Sequence, residues 1–248
     1  MMNGEVTSVG RTGYFVHITQ DVGYYDRHNT QDVVFCIINN SFKGEENPIV
    51  GDVVSVEARE DKYFILEVKP RRSAIARNKS AEYLDERKAA RAQFFAANVD
   101  VLFIVTSANR EFSLERIKRF AALAEGQPIR TVVVLTKEDC CVGEIAGYTK
   151  KLAAEGFAWV SVNATDGESV KRLFKYWEVG ETALLIGTSG VGKSTIVNAL
   201  CGLDIKTREV MDARRMNRGR HTTSARTMYT LPCGRKITDM PGVKFVNN

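Results

Sequence analysis

The sequence predicts an α/β protein in two parts: a small N-terminal β-barrel over residues 1–72 and a doubly wound, mostly parallel sheet over 73–248. Three observations carry that expectation. The first 70 or so residues hold five short β-branched or aromatic runs divided by turn residues, with no convincing helical period. Beyond them, apolar runs alternate with segments of helical period, the pattern of parallel strands joined by crossover helices. One of those runs, Ala183–Ile186, leads directly into Gly187-Thr-Ser-Gly-Val-Gly-Lys-Ser194, a glycine-rich loop of the form GxxxxGK[ST], and a helical segment follows it.

The five N-terminal runs are Val6–Val9, Tyr14–Ile18, Val33–Ile38, Val53–Ala58 and Tyr63–Val68. Gly10, Gly13, Asn39-Asn40, Gly44, Pro48 and Gly51 punctuate them. Five strands so spaced suit a small closed barrel, of which the OB-fold is one candidate. Such a surface can bind oligonucleotides, and a barrel used only for packing would read the same from its strand count. Lys69-Pro-Arg-Arg72, with Arg77 and Lys79, is the expected domain boundary, either a solvated connector or a set of phosphate contacts.

In the second part Leu84–Asn98 reads as a helix, and Val101–Val105 as a strand buried on both faces. Ser113 is placed to cap a helix whose Leu114, Ile117, Ala121 and Ala124 share one side, ending at Gly126. Val132–Leu135 is the next strand, 143–156 a helix and Ala158–Val162 a strand. Thr165-x-x-Glu168 has the form of a capping box ahead of a face made by Val170, Leu173, Phe174 and Trp177. After Ala183–Ile186 and the glycine loop, Ile196, Val197 and Leu200 line a helix ending near Gly202, and Arg235–Thr238 is the last short strand.

The bulk properties exclude several classes. With 248 residues, 44% hydrophobic and 26% charged, the chain has the composition of a globular protein. A net charge of +5 and a pI near 8.9 permit an anionic partner without requiring one. Five cysteines, odd in number and without a CxxC pair, fit reduced thiols better than a disulfide or zinc framework. Residues 1–5 lack a basic segment leading into an apolar core, and no apolar run approaches the length that spans a bilayer. The expectation is a cytoplasmic chain with no membrane partner.

The motifs carry chemistry. In the loop Gly187, Thr188, Ser189, Gly190, Val191, Gly192, Lys193, Ser194, continued by Thr195, glycines let successive N–H groups turn toward an oligophosphate, and the helix start adds positive partial charge. Lys193 would reach the outer phosphates and Ser194 would offer its hydroxyl to Mg²⁺. Thr136-Lys137-Glu138-Asp139, at the end of the Val132–Leu135 strand, matches [NT]KxD. A carboxylate there can accept from both the ring N–H and the exocyclic amine of guanine, whereas adenine presents the opposite polarity. Taken alone the four residues read equally well as a charged loop; the strand end is what favours the first reading. Asp239-Met-Pro-Gly242 matches DxxG, with Asp239 placed to hold Mg²⁺ through water and Gly242 to sense a terminal phosphate. Between these elements, Arg218-Gly-Arg-His-Thr-Thr-Ser224 offers Thr222 or Thr223 as a second hydroxyl for the ion, or is a polar surface loop.

The motif order TKxD, GTSGVGKS, GRHTT, DMPG places the base-reading element first, behind a barrel-like domain. In that respect the chain resembles the ribosome small-subunit biogenesis GTPase family (RsgA/YjeQ), circularly permuted P-loop GTPases. The resemblance implies guanine contacts from Lys137 and Asp139 in the Thr136–Asp139 turn, backed by Asn163-Ala164 where the family usually has Ser-Ala. It implies phosphate contacts from Gly187 to Thr195 and Mg²⁺ at Ser194, Thr223 and Asp239. It also implies GTP hydrolysis, slow alone and stimulated by the small ribosomal subunit, with that subunit and its rRNA as partners; separately, the chain is expected to be a monomer. The family continues into a Cys/His zinc domain that these 248 residues do not contain, so no zinc is expected in this chain.

Two positions bear on turnover. Many GTPases orient the attacking water with Gln directly after DxxG; here Val243 stands there. His221 is the nearest candidate to replace it, a structural histidine being the other reading. Arg214, Arg215, Arg218 and Arg220 could neutralise developing charge, grip rRNA or form a solvated basic face. A GTPase assisting small-subunit maturation is therefore the leading reading. The alternative is a nucleotide-dependent RNA-binding placeholder that barely hydrolyses. An ATPase or kinase is opposed by Asp139.

Overall fold

Alternation of buried and exposed side chains sets the register of the N-terminal strands. The computed structural model describes residues 1–19, 33–44, 46–77, 93–109, 112–138, 145–202 and 226–239. The chain divides into two units, Met1–Val99 with Ala225–Met228 and Asp100–Ser224 with Tyr229–Asn248. In the first, β1 (Met2–Val9), β2 (Tyr14–Thr19), β3 (Val33–Ile38), β4 (Val53–Arg59) and β5 (Lys62–Val68) match the five expected runs. β1 pairs antiparallel with both β2 and β4, β2 with β3 and β4 with β5, while β3 and β5 run parallel. The ring β1-β2-β3-β5-β4 therefore closes, leaving no free edge, in an OB-like barrel. Its interior is filled by Val6, Val16, Cys36, Val54, Val56 and Ile65, all fully buried.

The stretch after the barrel differs from the expected connector. Arg71 is not a solvated linker cation: its Nε and NH2 grip both carboxylate oxygens of buried Asp52 at 2.7 and 3.0 Å, and its guanidinium lies over the Phe94 ring. Ala74–Arg77 forms β6, paired antiparallel with β7 (Gln93–Ala97). The helix expected over 84–98 is thus corrected at its second half, residues 84–92 lying outside those described. Phe95, Ala96 and Ala97 are buried as strand residues because β6, distant in sequence, supplies the hydrogen bonds that a helix would have made locally. Asn98 accepts from the Arg72 N–H and donates to Gly51 O, and Ser73 donates to Val99 O, which ties residues 71–73 and 97–99 to the same unit.

The second unit is built on β8 (Val101–Ser107), β9 (Arg130–Thr136), β10 (Ala158–Ser161) and β11 (Thr182–Ile186). After β12 (Thr227–Thr230) comes β13 (Lys236–Asp239). β10, β9, β8, β11 and β13 lie side by side in that order, every pair parallel. β8 and β9 read as almost continuous apolar runs because both of their faces are covered. α1 (Leu114–Ala121) is capped by the Ser113 side chain as expected and continues into a 3-10 turn through Ala124. α2 is Ile145–Ala154. α3 (Gly167–Val170) starts one residue later than the expected capping box: Asp166, not Thr165, caps it by accepting from the Glu168 N–H. Thr165 is instead engaged by the Asn163 side chain, a competing local hydrogen bond. Of the expected face, Val170, Leu173 and Trp177 are buried and Phe174 is partly buried against them, although past Val170 the backbone tightens to a 3-10 helix. With Ile196 and Val197 of α4 (Lys193–Cys201), that face covers Val101, Phe103, Val132, Val134, Ala183 and Leu185.

Candidate functional site

Strand order positions the site. Counted along the chain, the five parallel strands lie in the order third, second, first, fourth, fifth, so the winding reverses between β8 and β11. Ligands of open α/β sheets bind beyond the strand carboxyl ends at such a reversal. The glycine loop leaves β11 at that point.

Two glycines in the loop are required by geometry. A Cβ on Gly187 would stand 2.3 Å from Val105 O of the neighbouring strand, so only hydrogen fits. Gly192, with φ of 101°, supplies the left-handed turn that starts α4, whose first N–H groups consequently face outward from the strand end. Lys193 is only 6% exposed, and its Nζ donates to Gly187 O at 3.0 Å and Thr188 O at 2.8 Å. The cation is folded over the hollow of its own loop. Burial pushes its pKa below the ordinary lysine range, partly opposed by the Asp239 carboxylate. A buried, under-compensated ammonium at a helix start is a receptor for an anion.

Asp239 ends β13, and the Ser194 hydroxyl donates to its Oδ2 at 3.1 Å. A hydroxyl and a carboxylate meeting beside such a cradle are hard oxygen donors of the kind Mg²⁺ takes, so the pair fits that ion. Thr223, the third expected donor, lies outside the described residues, as do Asp139, His221, Thr222 and Gly242.

The expected base-reading elements reach the same edge. Thr136 Oγ1 donates to Val191 O at 2.8 Å, with Thr106 O at 3.3 Å. The methyl groups of Thr136 and Ala164 flank Gly192, 3.6 and 3.5 Å from where its Cβ would be. The end of β9, the Asn163-Ala164 loop after β10 and the glycine loop after β11 therefore meet. Lys137 holds a left-handed φ of 63°, a conformation that non-glycine residues keep only where the surroundings impose it. Glu138 has its carboxylate engaged within the protein: Ser161 Oγ donates at 2.7 Å, Ser169 Oγ at 3.0 Å and Arg172 NH1 at 3.0 and 3.1 Å. Burial raises its pKa, but the two serines and Arg172 outweigh that and hold it below the usual carboxylate range. Ser161, Ser169 and Arg172 were not legible as site residues. Scattered polar positions acquire meaning only when the fold converges them.

Comparison with known proteins bears on the whole arrangement. A family model described as RsgA GTPase matches residues 68–247. The small ribosomal subunit biogenesis GTPase RsgA of Xylella fastidiosa is 36% identical over 206 residues, 82% of this chain and 57% of that protein. The protein of the same name from Xanthomonas campestris pv. campestris is 37% identical over 206 residues, 82% of this chain and 53% of its own. The chain thus spans a little over half the length of these relatives. Among solved structures, YjeQ from Thermotoga maritima superposes with a TM-score of 0.65 at 22% identity, covering 97% of this chain and 74% of that one. YloQ, described as a circularly permuted GTPase, gives 0.63 at 21%, covering 98% and 72%. At such identities the two bear on the fold, and they match the permuted order of strands and loops found here.

Proposed function

The chain belongs to the RsgA GTPase family, and from that membership we propose that it binds GTP, hydrolyses it to GDP and phosphate, and assists late maturation of the small ribosomal subunit. The observation that carries the nucleotide reading is the 2.8 Å hydrogen bond from Thr136 to Val191, which joins the base-reading turn to the phosphate loop. One nucleotide can then be held at both ends. Residues Gly187 to Thr195 wrap the phosphates, Lys193 swings from its own carbonyls onto the outer phosphates, and Lys137, Asp139 and the Asn163-Ala164 loop enclose guanine.

Phosphoryl transfer to water needs positioning and charge neutralisation more than covalent chemistry. Ser194 and Asp239, with Thr223, would hold Mg²⁺, which when bound offsets charge on the phosphate oxygens. Lys193 shares that task from the opposite side. Val243 cannot orient water, so His221 takes that role, and Gly242 senses the terminal phosphate. The barrel supplies the contact to rRNA and the small subunit, in the cytoplasm and as a monomer.

Steady-state GTP hydrolysis measured with and without purified small subunits tests the activity: stimulation is expected, and equal low rates would instead support the nucleotide-dependent RNA-binding placeholder, which Val243 favours. His221→Ala should slow turnover and spare GTP binding. Asp139→Asn should move preference toward xanthine nucleotides; unaltered guanine selectivity would sink the base assignment.

A further inference from the structure

Glu138 lies inside the base-reading turn, yet its carboxylate is directed at the protein. Three donors from other elements converge on it: Ser161 at the end of β10, Ser169 in α3 and Arg172 in the 3-10 segment that follows. Ser169 does two things at once. Its hydroxyl donates to Glu138 Oε1 at 3.0 Å and accepts the Asn163 N–H at 2.9 Å. Arg172 likewise bridges, donating to both Glu138 oxygens and to Ser161 O at 3.1 Å. Two loops separated in the chain are thereby fastened through one carboxylate: the turn that ends β9, and the Asn163-Ala164 loop whose Ala164 methyl lies against Gly192.

These bonds have a directional consequence. Charge-assisted hydrogen bonds are roughly twice as strong as neutral ones and fix orientation as well as distance. A pocket that reads a base edge depends on loops held to within about half an ångström. The phosphate cradle is fixed by Gly187 against Val105, by the bond from Thr136 Oγ1 to Val191 O and by the start of α4, whereas the hydrogen bonds of the Glu138 carboxylate go to Ser161, Ser169 and Arg172.

We propose that Glu138 is a positioning residue that, through Ser169, Ser161 and Arg172, sets the spacing of the two base-reading loops and so determines selectivity for guanine while leaving affinity for the phosphates alone. The inference rests on the nucleotide site proposed above, and its test separates the two.

Affinities of the full chain for GDP, IDP (which lacks the exocyclic amine), ADP and inorganic tripolyphosphate would be measured for the wild type, Glu138→Ala, Ser169→Ala, Arg172→Gln and the double variant Glu138→Ala/Ser169→Ala. Glu138→Ala should weaken GDP roughly tenfold, narrow the GDP-to-IDP ratio and leave tripolyphosphate unchanged. Ser169→Ala should do the same, and the double variant should lose less than the sum of the two, as residues acting through one contact do. Arg172 is half-exposed, so Arg172→Gln serves where Glu138→Ala does not fold, with the same loss of base discrimination expected. Unchanged GDP affinity and GDP-to-IDP ratio, additive losses, or an equal loss of tripolyphosphate would each overturn the positioning role. If the wild type itself fails to prefer GDP over ADP, it is the nucleotide site that falls, and this inference with it.

Discussion

Thr136 and Val191, 55 positions apart in the chain, are joined by a hydrogen bond of 2.8 Å between the threonine hydroxyl and the valine carbonyl. Both are buried, so water does not replace the bond when it is lost. Thr136→Val keeps the shape and removes the donor. The expected cost is about 1–3 kcal/mol of stability, since a buried carbonyl is left unpaired. Loosening of the phosphate loop should also weaken GDP. Thr136→Asn, whose amide can donate from the same place, should recover most of that affinity. Urea unfolding and GDP titration of the two variants check both halves.

Lys193 should matter little for stability and much for binding. Its ammonium is buried against two carbonyls, and burial holds its pKa below the ordinary lysine value. Lys193→Met should therefore leave the nucleotide-free protein within about 1 kcal/mol of wild type, yet weaken GTP roughly 10- to 100-fold through loss of a charge-assisted bond. The pH dependence has a definite direction. With the folded pKa depressed, the unfolded chain binds more protons in the window between the folded value and the ordinary one. Lys193 thus penalises the fold below that window, and the penalty fades as pH rises through it. Melting curves on the alkaline side should show wild type gaining on Lys193→Met; a constant gap would refute the depressed value.

How much of this was readable in advance follows from which interactions are local. The glycine loop, β8, β9 and β11 were legible because spacing and apolar runs are properties of neighbouring residues. Gln93–Ala97 was not: Phe-Phe-Ala-Ala has no period that separates strand from helix, and its partner Ala74–Arg77 is remote. The Thr165 box failed because Asn163 offered Thr165 a nearer bond and left Asp166 to cap. The bond from Thr136 to Val191 and the convergence on Glu138 depend on strand order, which no single segment encodes. The position of Asp139 falls outside the described residues, but its neighbour Thr136 reaches the phosphate loop.

In the barrel, Cys36 is fully buried and its thiol is pushed up to about 12 by that burial. It should resist iodoacetamide in the native state, whereas Cys233, exposed, should be alkylated at once. Peptide mapping after a short pulse would show this. The raised value also means that the folded protein keeps a proton that the unfolded chain releases. Cys36 stabilisation is therefore complete below the ordinary thiol range and is lost as pH climbs from 9.0 toward about 12. Cys36→Val should flatten that part of the stability curve.

Arg71 and Asp52 test whether the segment after β5 is a linker or part of the first unit. Asp52 has no exposure; it takes two bonds from Arg71 and one from the Ile49 N–H at 2.8 Å. The Asp52 carboxylate raises the Arg71 pKa further, so the cation persists at every accessible pH. Arg71→Met would strand a buried carboxylate, for which the expected cost is about 3–5 kcal/mol. Removing both charges, as Arg71→Met with Asp52→Asn, should restore much of it, because the stranded charge is the larger part of the loss. A solvated connector would behave otherwise: the single variant would cost a few tenths of a kcal/mol, and salt would erase even that. Denaturant unfolding of the single and double variants at low and high salt decides the matter, a salt-insensitive loss that the second substitution rescues being the outcome that places Arg71 inside the fold.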